Sequence, residues 1–187
     1  FVAHRRRYTL LLVLLAPFFV SYLLRVYAWT VMLSSDGTIN SILVELGRAK
    51  GHPVEWLFHS KFAIGLVLAY SWIPFVALPI FVVLENLDKR ILEAAQDLGA
   101  NRVMTFLKVT LPLSLPGVIA AFVFVLIPTT GEFVAPSLVG GSDDSMFGNF
   151  IQDSFVSTTD WALGAVMAMW LMAVVVVLIA VSARYLT

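Results

Sequence analysis

Residues 91–117, ILEAAQDLGANRVMTFLKVTLPLSLPG, stand apart from the chain that surrounds them. The flanking sequence is strongly apolar, yet this stretch carries Glu93, Asp97, Arg102 and Lys108. Asp88 is placed to cap a helix that starts at Lys89. Ile91, Ala94, Ala95 and Leu98 then form one shallow apolar stripe, and Gly99 supplies the left-handed residue that ends such a helix. A second short helix is expected to follow, with Val103, Phe106 and Leu107 on one face, stopped by Pro112 and Pro116. Physical chemistry leaves two readings open. The stripe rests on the chain's own helices as a connector, or it is a surface on which a partner docks.

The rest of the chain belongs to a membrane. Of 187 residues, 60% are hydrophobic and 13% are charged; soluble chains average about 25% charged. Mean hydropathy is +0.92. Several apolar runs exceed the roughly 18 residues that mark a spanning helix. Four spans are expected, at Tyr8–Leu33, Phe62–Leu84, Val118–Val139 and Ala162–Val181. Pro17 and Arg25 interrupt the first; Pro128, Gly131, Glu132 and Pro136 interrupt the third. Such breaks are tolerated where neighbouring helices or water satisfy the backbone. The fold class is therefore an all-α, multi-span membrane bundle in one domain, with the loop 85–116 between the second and third spans.

Lys and Arg set the orientation. With the N-terminus and the 85–116 loop in the cytoplasm, that side holds Arg5, Arg6, Arg7, Lys89, Arg90, Arg102, Lys108 and Arg184, while Arg25, Arg48, Lys50 and Lys61 fall elsewhere. Both ends of this chain then lie in the cytoplasm. On the other side, SSDGTINSILVELG (34–47) opens with a turn at Asp36-Gly37. Ile39, Ile42, Leu43 and Leu46 continue it as an amphipathic helix at the interface. Residues 140–161 carry four Asp and no Lys or Arg, a composition suited to a cationic solute.

Several chemistries find no support. Without cysteine there is no disulfide, zinc-thiolate or thiol catalysis. Net charge is zero, so nothing favours nucleic acid. His4, His52 and His59 have no ligand spacing, and neither a nucleophile elbow, an HExxH nor a P-loop occurs. Glu132 is a carboxylate inside an apolar span, which is by default a candidate functional group. Its alternatives are a hydrogen bond to nearby backbone or pairing with Arg25. Tyr27 and Trp29 are either an interfacial belt or cation–π walls. Asp153, Asp160 and Trp161 are either a solvated loop or a surface that attracts a cation or meets a binding protein.

The spacing from Glu93 to Pro112 resembles the EAA loop of binding-protein-dependent ABC importer permeases. That pattern is EAA, three residues, Gly, nine residues, Ile, one residue, Leu-Pro; here Val109 replaces the Ile. The resemblance extends along the chain through LLRVYAWTVMLSSDGTINSIL (23–43), YSWIPFVALPIF (70–81) and IPTTGEFVAPSLVGG (127–141), which are similar to permeases of the spermidine/putrescine first-subunit type. It implies that Glu93, Ala94, Ala95 and Gly99 form a seat for a separate ATPase, flanked by Leu98 and Phe106. It implies an ABC ATPase dimer, a second and non-identical permease subunit and an extracytoplasmic solute-binding protein as partners in a bacterial inner membrane. ATP and Mg would sit on the ATPase, with no cofactor and no catalysis on this chain. Polyamine is the implied solute; iron, thiamine, an anion or a sugar is carried on the same scaffold by other members. Such permeases usually have six spans, so two are expected before Tyr8.

Overall fold

The computed structural model describes residues 4–46 and 54–186. Among these every regular element is helical. Arg48, Lys50 and His52 lie outside the described residues. In chain order the elements are α1 His4–Leu15, α2 Tyr22–Leu33, α3 Thr38–Glu45, α4 Lys61–Ser71, α5 Ile73–Glu85, α6 Lys89–Asp97, α7 Arg102–Thr105, α8 Leu111–Thr130, α9 Val134–Val139, α10 Phe147–Val156 and α11 Trp161–Leu186. Two unbroken helices among the described residues are long and apolar enough to cross a membrane, Arg102–Thr130 and Trp161–Ser182. Two further pairs of helices meet that test only jointly, each with a bend of more than 40°, giving up to four spans.

Three of the expected span boundaries need correction. The first is not one helix over 8–33: it turns by 88° between Phe19 and Tyr22. Pro17 opens a tight 3₁₀ turn, Ala16–Phe19, and Val20 and Ser21 then run extended. A proline lacks the N–H that would continue the α ladder, and its ring displaces the carbonyl four residues back. The second breaks at Trp72, just ahead of Pro74. The third begins earlier and ends earlier than 118–139. Pro112 and Pro116 do not stop a separate short helix; one helical run of 29 residues extends from Arg102 to Thr130. It accommodates them through a wide π turn over Phe106–Thr110, in which Leu111 N–H bonds to Phe106 C=O, five residues back. Pro112 then follows the π turn directly, at the second position of α8. The helix ends instead at Gly131-Glu132-Phe133, and α9 is a separate short helix.

The chain divides into two compact units. In the first, residues 1–74 and 128–172, the short α9 packs against both α2 and α4. The buried core there is Val26 and Leu33 of α2, Ala63, Ile64, Val67 and Leu68 of α4, Ala135 and Val139 of α9, and Leu57. Asn40, 1% exposed, closes the corner from α2 to α3. Its Nδ2 donates to Ser34 C=O (2.9 Å) and Leu33 C=O (3.4 Å), and its Oδ1 accepts from Val54 N–H (2.8 Å). The amphipathic stripe of α3 is only half used: Ile39 and Leu43 pack on this core, while Ile42 and Leu46 are exposed.

In the second unit, residues 75–127 and 173–187, α5 and α8 cross closely. Ser114, Gly117 and Ala121 are the buried face of α8. A Cβ at Gly117 would lie 2.9 Å from Val83 Cγ2 and 3.1 Å from Pro79 C=O. Small residues at helical spacing let two backbones approach where lipid offers no hydrophobic drive between helices.

Candidate functional site

Two sites emerge, one in each unit. In the second unit the polar stretch forms a helix, a bend and a helical restart. Asp88 Oδ1 accepts from Arg90 N–H (2.9 Å) and caps α6, as its position predicts. Gly99 adopts φ +84°, the left-handed conformation. Gly99 N–H bonds to Gln96 C=O (2.9 Å) and Ala100 N–H to Ala95 C=O (3.0 Å). Those two bonds make a Schellman ending, in which the last carbonyls of α6 are satisfied. Asn101 then caps the restart, its Oδ1 accepting from Met104 N–H (2.8 Å). Asn101 was legible in principle as a cap residue placed two positions after Gly99.

The apolar residues of this segment face outward. Ile91 and Ala94 are exposed and Leu98 is 89% exposed; only Leu92 and Ala95 of α6 are half-buried on its inner side. Glu93 is exposed, and Val103, Phe106 and Leu107 are exposed beyond the bend. The bend at Gly99 lies between these two exposed stretches.

The second site is built in the first unit on the break after α8. Glu132 is 7% exposed. Its Oε1 accepts from Val134 N–H (2.8 Å) and Ala135 N–H (3.2 Å), so the carboxylate closes the first turn of α9. The backbone alternative of the sequence reading is thus realised. Gly148 allows α10 to approach: a Cβ there would meet Glu132 C=O at 2.5 Å. Beside it Asn149, also buried, donates to Phe133 C=O (3.0 Å) and Ser137 Oγ (2.7 Å) and accepts from Met146 N–H (2.9 Å). Neither Asn40 nor Asn149 stands out in the sequence, because each is defined by backbone partners that only the fold brings near.

Arg25 does not pair with Glu132. Its guanidinium lies over the Phe18 ring at 4.6 Å and the Tyr22 ring at 5.8 Å, with Nε and Nη1 buried and without a hydrogen-bond partner. The Tyr22 hydroxyl is buried beside the Glu132 carboxyl without reaching hydrogen-bonding geometry. Of the two aromatic candidates, Trp29 joins this neighbourhood, edge-on to Tyr70 at 5.5 Å, while Tyr27 is exposed. Asp160 is a helix cap, its Oδ1 accepting from Leu163 N–H at the start of α11 (3.0 Å). Trp161 is exposed and edge-on to Phe155 (5.7 Å). Asp153 accepts from Ser157 Oγ (3.3 Å) on the surface. His59 Nδ1 lies 3.1 Å from Gly140 C=O, a backbone contact between residues 81 positions apart.

The long apolar helices, two unbroken and two bent pairs, are those of an integral membrane protein. The chain belongs to the family of binding-protein-dependent transport system inner membrane components, whose family model matches residues 6–187. It is 39% identical over 163 residues to the spermidine/putrescine transport system permease protein PotB of Escherichia coli K12, covering 87% of this chain and 58% of that protein. Against PotB of Haemophilus influenzae the identity is 35% over 175 residues, 94% of this chain and 60% of the relative. The inner membrane ABC transporter permease protein YdcU of Escherichia coli K12 is 38% identical over 136 residues, 66% of this chain and 42% of the relative. The chain thus spans little more than half the length of the PotB relatives it matches.

Proposed function

We propose that this chain is a permease subunit of an ATP-driven importer that carries polyamines across the bacterial cytoplasmic membrane by alternating access. The observation that carries the reading is the outward-facing segment Glu93–Phe106. Ala94 and Leu98 are uncovered, and Gly99 holds the bend in a conformation that L side chains resist. A separate ATPase dimer, holding ATP and Mg, would seat on Glu93, Ala94, Ala95, Leu98, Gly99 and Phe106. Hydrolysis would take place on that partner and none on this chain. A solute-binding protein would deliver cargo on the far side, near Asp160 and Trp161, and a second, non-identical permease subunit would complete the pathway. Both ends of this chain would then be cytoplasmic. Within the spans Glu132 is the proposed cation-facing acid, with Trp29 and Tyr27 as the aromatic candidates.

The PotB relatives support a polyamine as the solute, as does the acid-rich stretch 140–161. Uptake into proteoliposomes holding the assembled transporter tests it. Labelled spermidine or putrescine should accumulate only with ATP inside, and each unlabelled polyamine should compete. Competition by ferric iron, thiamine or a sugar, with none by polyamines, would assign the same machinery to another solute.

A further inference from the structure

The Arg25 side chain is the least explained group in the first unit. A guanidinium inside an apolar bundle is expensive and is normally paired with a carboxylate or with backbone carbonyls. Here two of its nitrogens have no acceptor, and its close companions are the faces of Phe18 and Tyr22. Both rings lie within the roughly 6 Å over which a cation is attracted to an aromatic face. Both are also backed by further rings. Phe18 stacks on Tyr70 at 5.3 Å, and Tyr22 stacks on Trp72 at 6.4 Å. The walls are therefore fixed, and the Glu132 carboxyl adjoins one of them next to Tyr22 Oη.

We propose that Phe18, Tyr22 and the adjoining Glu132 carboxyl form a binding site for an organic ammonium, and that in this state the chain's own Arg25 guanidinium fills it. Two held aromatic faces beside a carboxylate recognise alkylammonium groups in general. A planar guanidinium on a long side chain fits the ring faces but leaves N–H groups unused here. A primary ammonium is smaller and carries three rotatable donors. It can face a ring and donate to Glu132 together, while Arg25 swings aside. The walls also stand on opposite sides of the 88° break, Phe18 on the 3₁₀ turn and Tyr22 at the start of α2. A change in that bend would part them, so occupancy and conformation are linked. In this account Arg25 is a tethered competitor that keeps the site closed to weakly bound cations.

The inference rests on the polyamine reading for its biological ligand, but binding can be measured apart from transport. The probe is 1,4-diaminobutane, titrated against tryptophan fluorescence of the assembled transporter in nanodiscs, alongside ATP-driven uptake of the same amine. Arg25→Gln should bind the diamine roughly fivefold more tightly, the release of about one cation–π contact, and Arg25→Lys, which tethers a primary ammonium in the same place, should bind it no more tightly than the wild type. Phe18→Leu in the Arg25→Gln background should abolish the gain. Unchanged or weaker binding in Arg25→Gln, at wild-type insertion and melting temperature, overturns the proposal and leaves Arg25 a packing residue. If wild-type vesicles import no diamine, the transport reading falls while the titration still decides the site. A tightening confined to uptake KM, absent from the titration, also overturns it.

Discussion

At Glu132 the structure separates two roles that a single substitution usually confounds. One carboxylate oxygen satisfies two backbone N–H groups of α9, and the negative charge is a second property. Glu132→Gln keeps an acceptor oxygen at the same place; Glu132→Ala leaves two buried donors bare, at about 2 kcal/mol. The alanine variant should therefore melt at a lower temperature in detergent, and the glutamine variant should melt near the wild type. Reduced polyamine uptake by the glutamine variant would then isolate the charge, and equal uptake would leave Glu132 a structural acid. Gly99 separates strain from bulk in the same way. A Cβ there would meet nothing within 4 Å, so the resistance to substitution is conformational, not steric. Asn enters the left-handed region more readily than β-branched residues. Gly99→Asn should retain more transport-coupled ATPase stimulation than Gly99→Val, with both variants inserted normally; equal loss in both would point to a direct contact at Gly99 with the ATPase.

Among the elements, helix ends were easier to read than helix breaks. Asp88 and Gly99 declare themselves because capping is local: one side chain and its next few amides decide it. The misreadings sit at prolines. Pro112 and Pro116 look like stops, yet the π turn before them admits a continuous helix, and nothing in hydrophobic periodicity announces a turn with one extra residue. Conversely Gly131-Glu132-Phe133, where the sequence announces only an interruption of the third span, ends it, because α9 is held by α2, α4 and the close approach of α10. Those are tertiary causes, invisible to a window of neighbouring residues. The restart after Gly99 depends on Asn101, an exposed cap. Asn101→Ala should cost about 1 kcal/mol. Amide exchange at Val103 and Met104 should accelerate, with exchange in α11 unchanged; uniform acceleration would show that the cap supports far more than its own turn.

For the molecule as a whole, composition alone made the membrane class plain, and the periodic apolar runs located the spans to within a few residues at α11 and less well elsewhere. Orientation, by contrast, is a prediction from charge that labelling checks. The absence of cysteine makes that measurement clean for this chain. Leu98→Cys, on an exposed side chain, should react with a membrane-impermeant maleimide only in inside-out vesicles, and Ser157→Cys only in right-side-out ones. The opposite pattern would invert the topology and remove Glu93–Phe106 from the reach of a cytoplasmic ATPase.

The wide turn at Phe106–Thr110 has a consequence for how such a chain can change over time. Each residue advances an α-helix by about 100°, so one residue more or fewer between Gly99 and α8 spins the outward-facing side chains around the axis while leaving every span intact. The π turn absorbs such a residue without breaking the rod. It works as an angular adjustment, a vernier between the outward-facing segment and the spanning helix. That is why the distance from Gly99 to Pro112, thirteen positions along the chain, is a dial setting as much as a length.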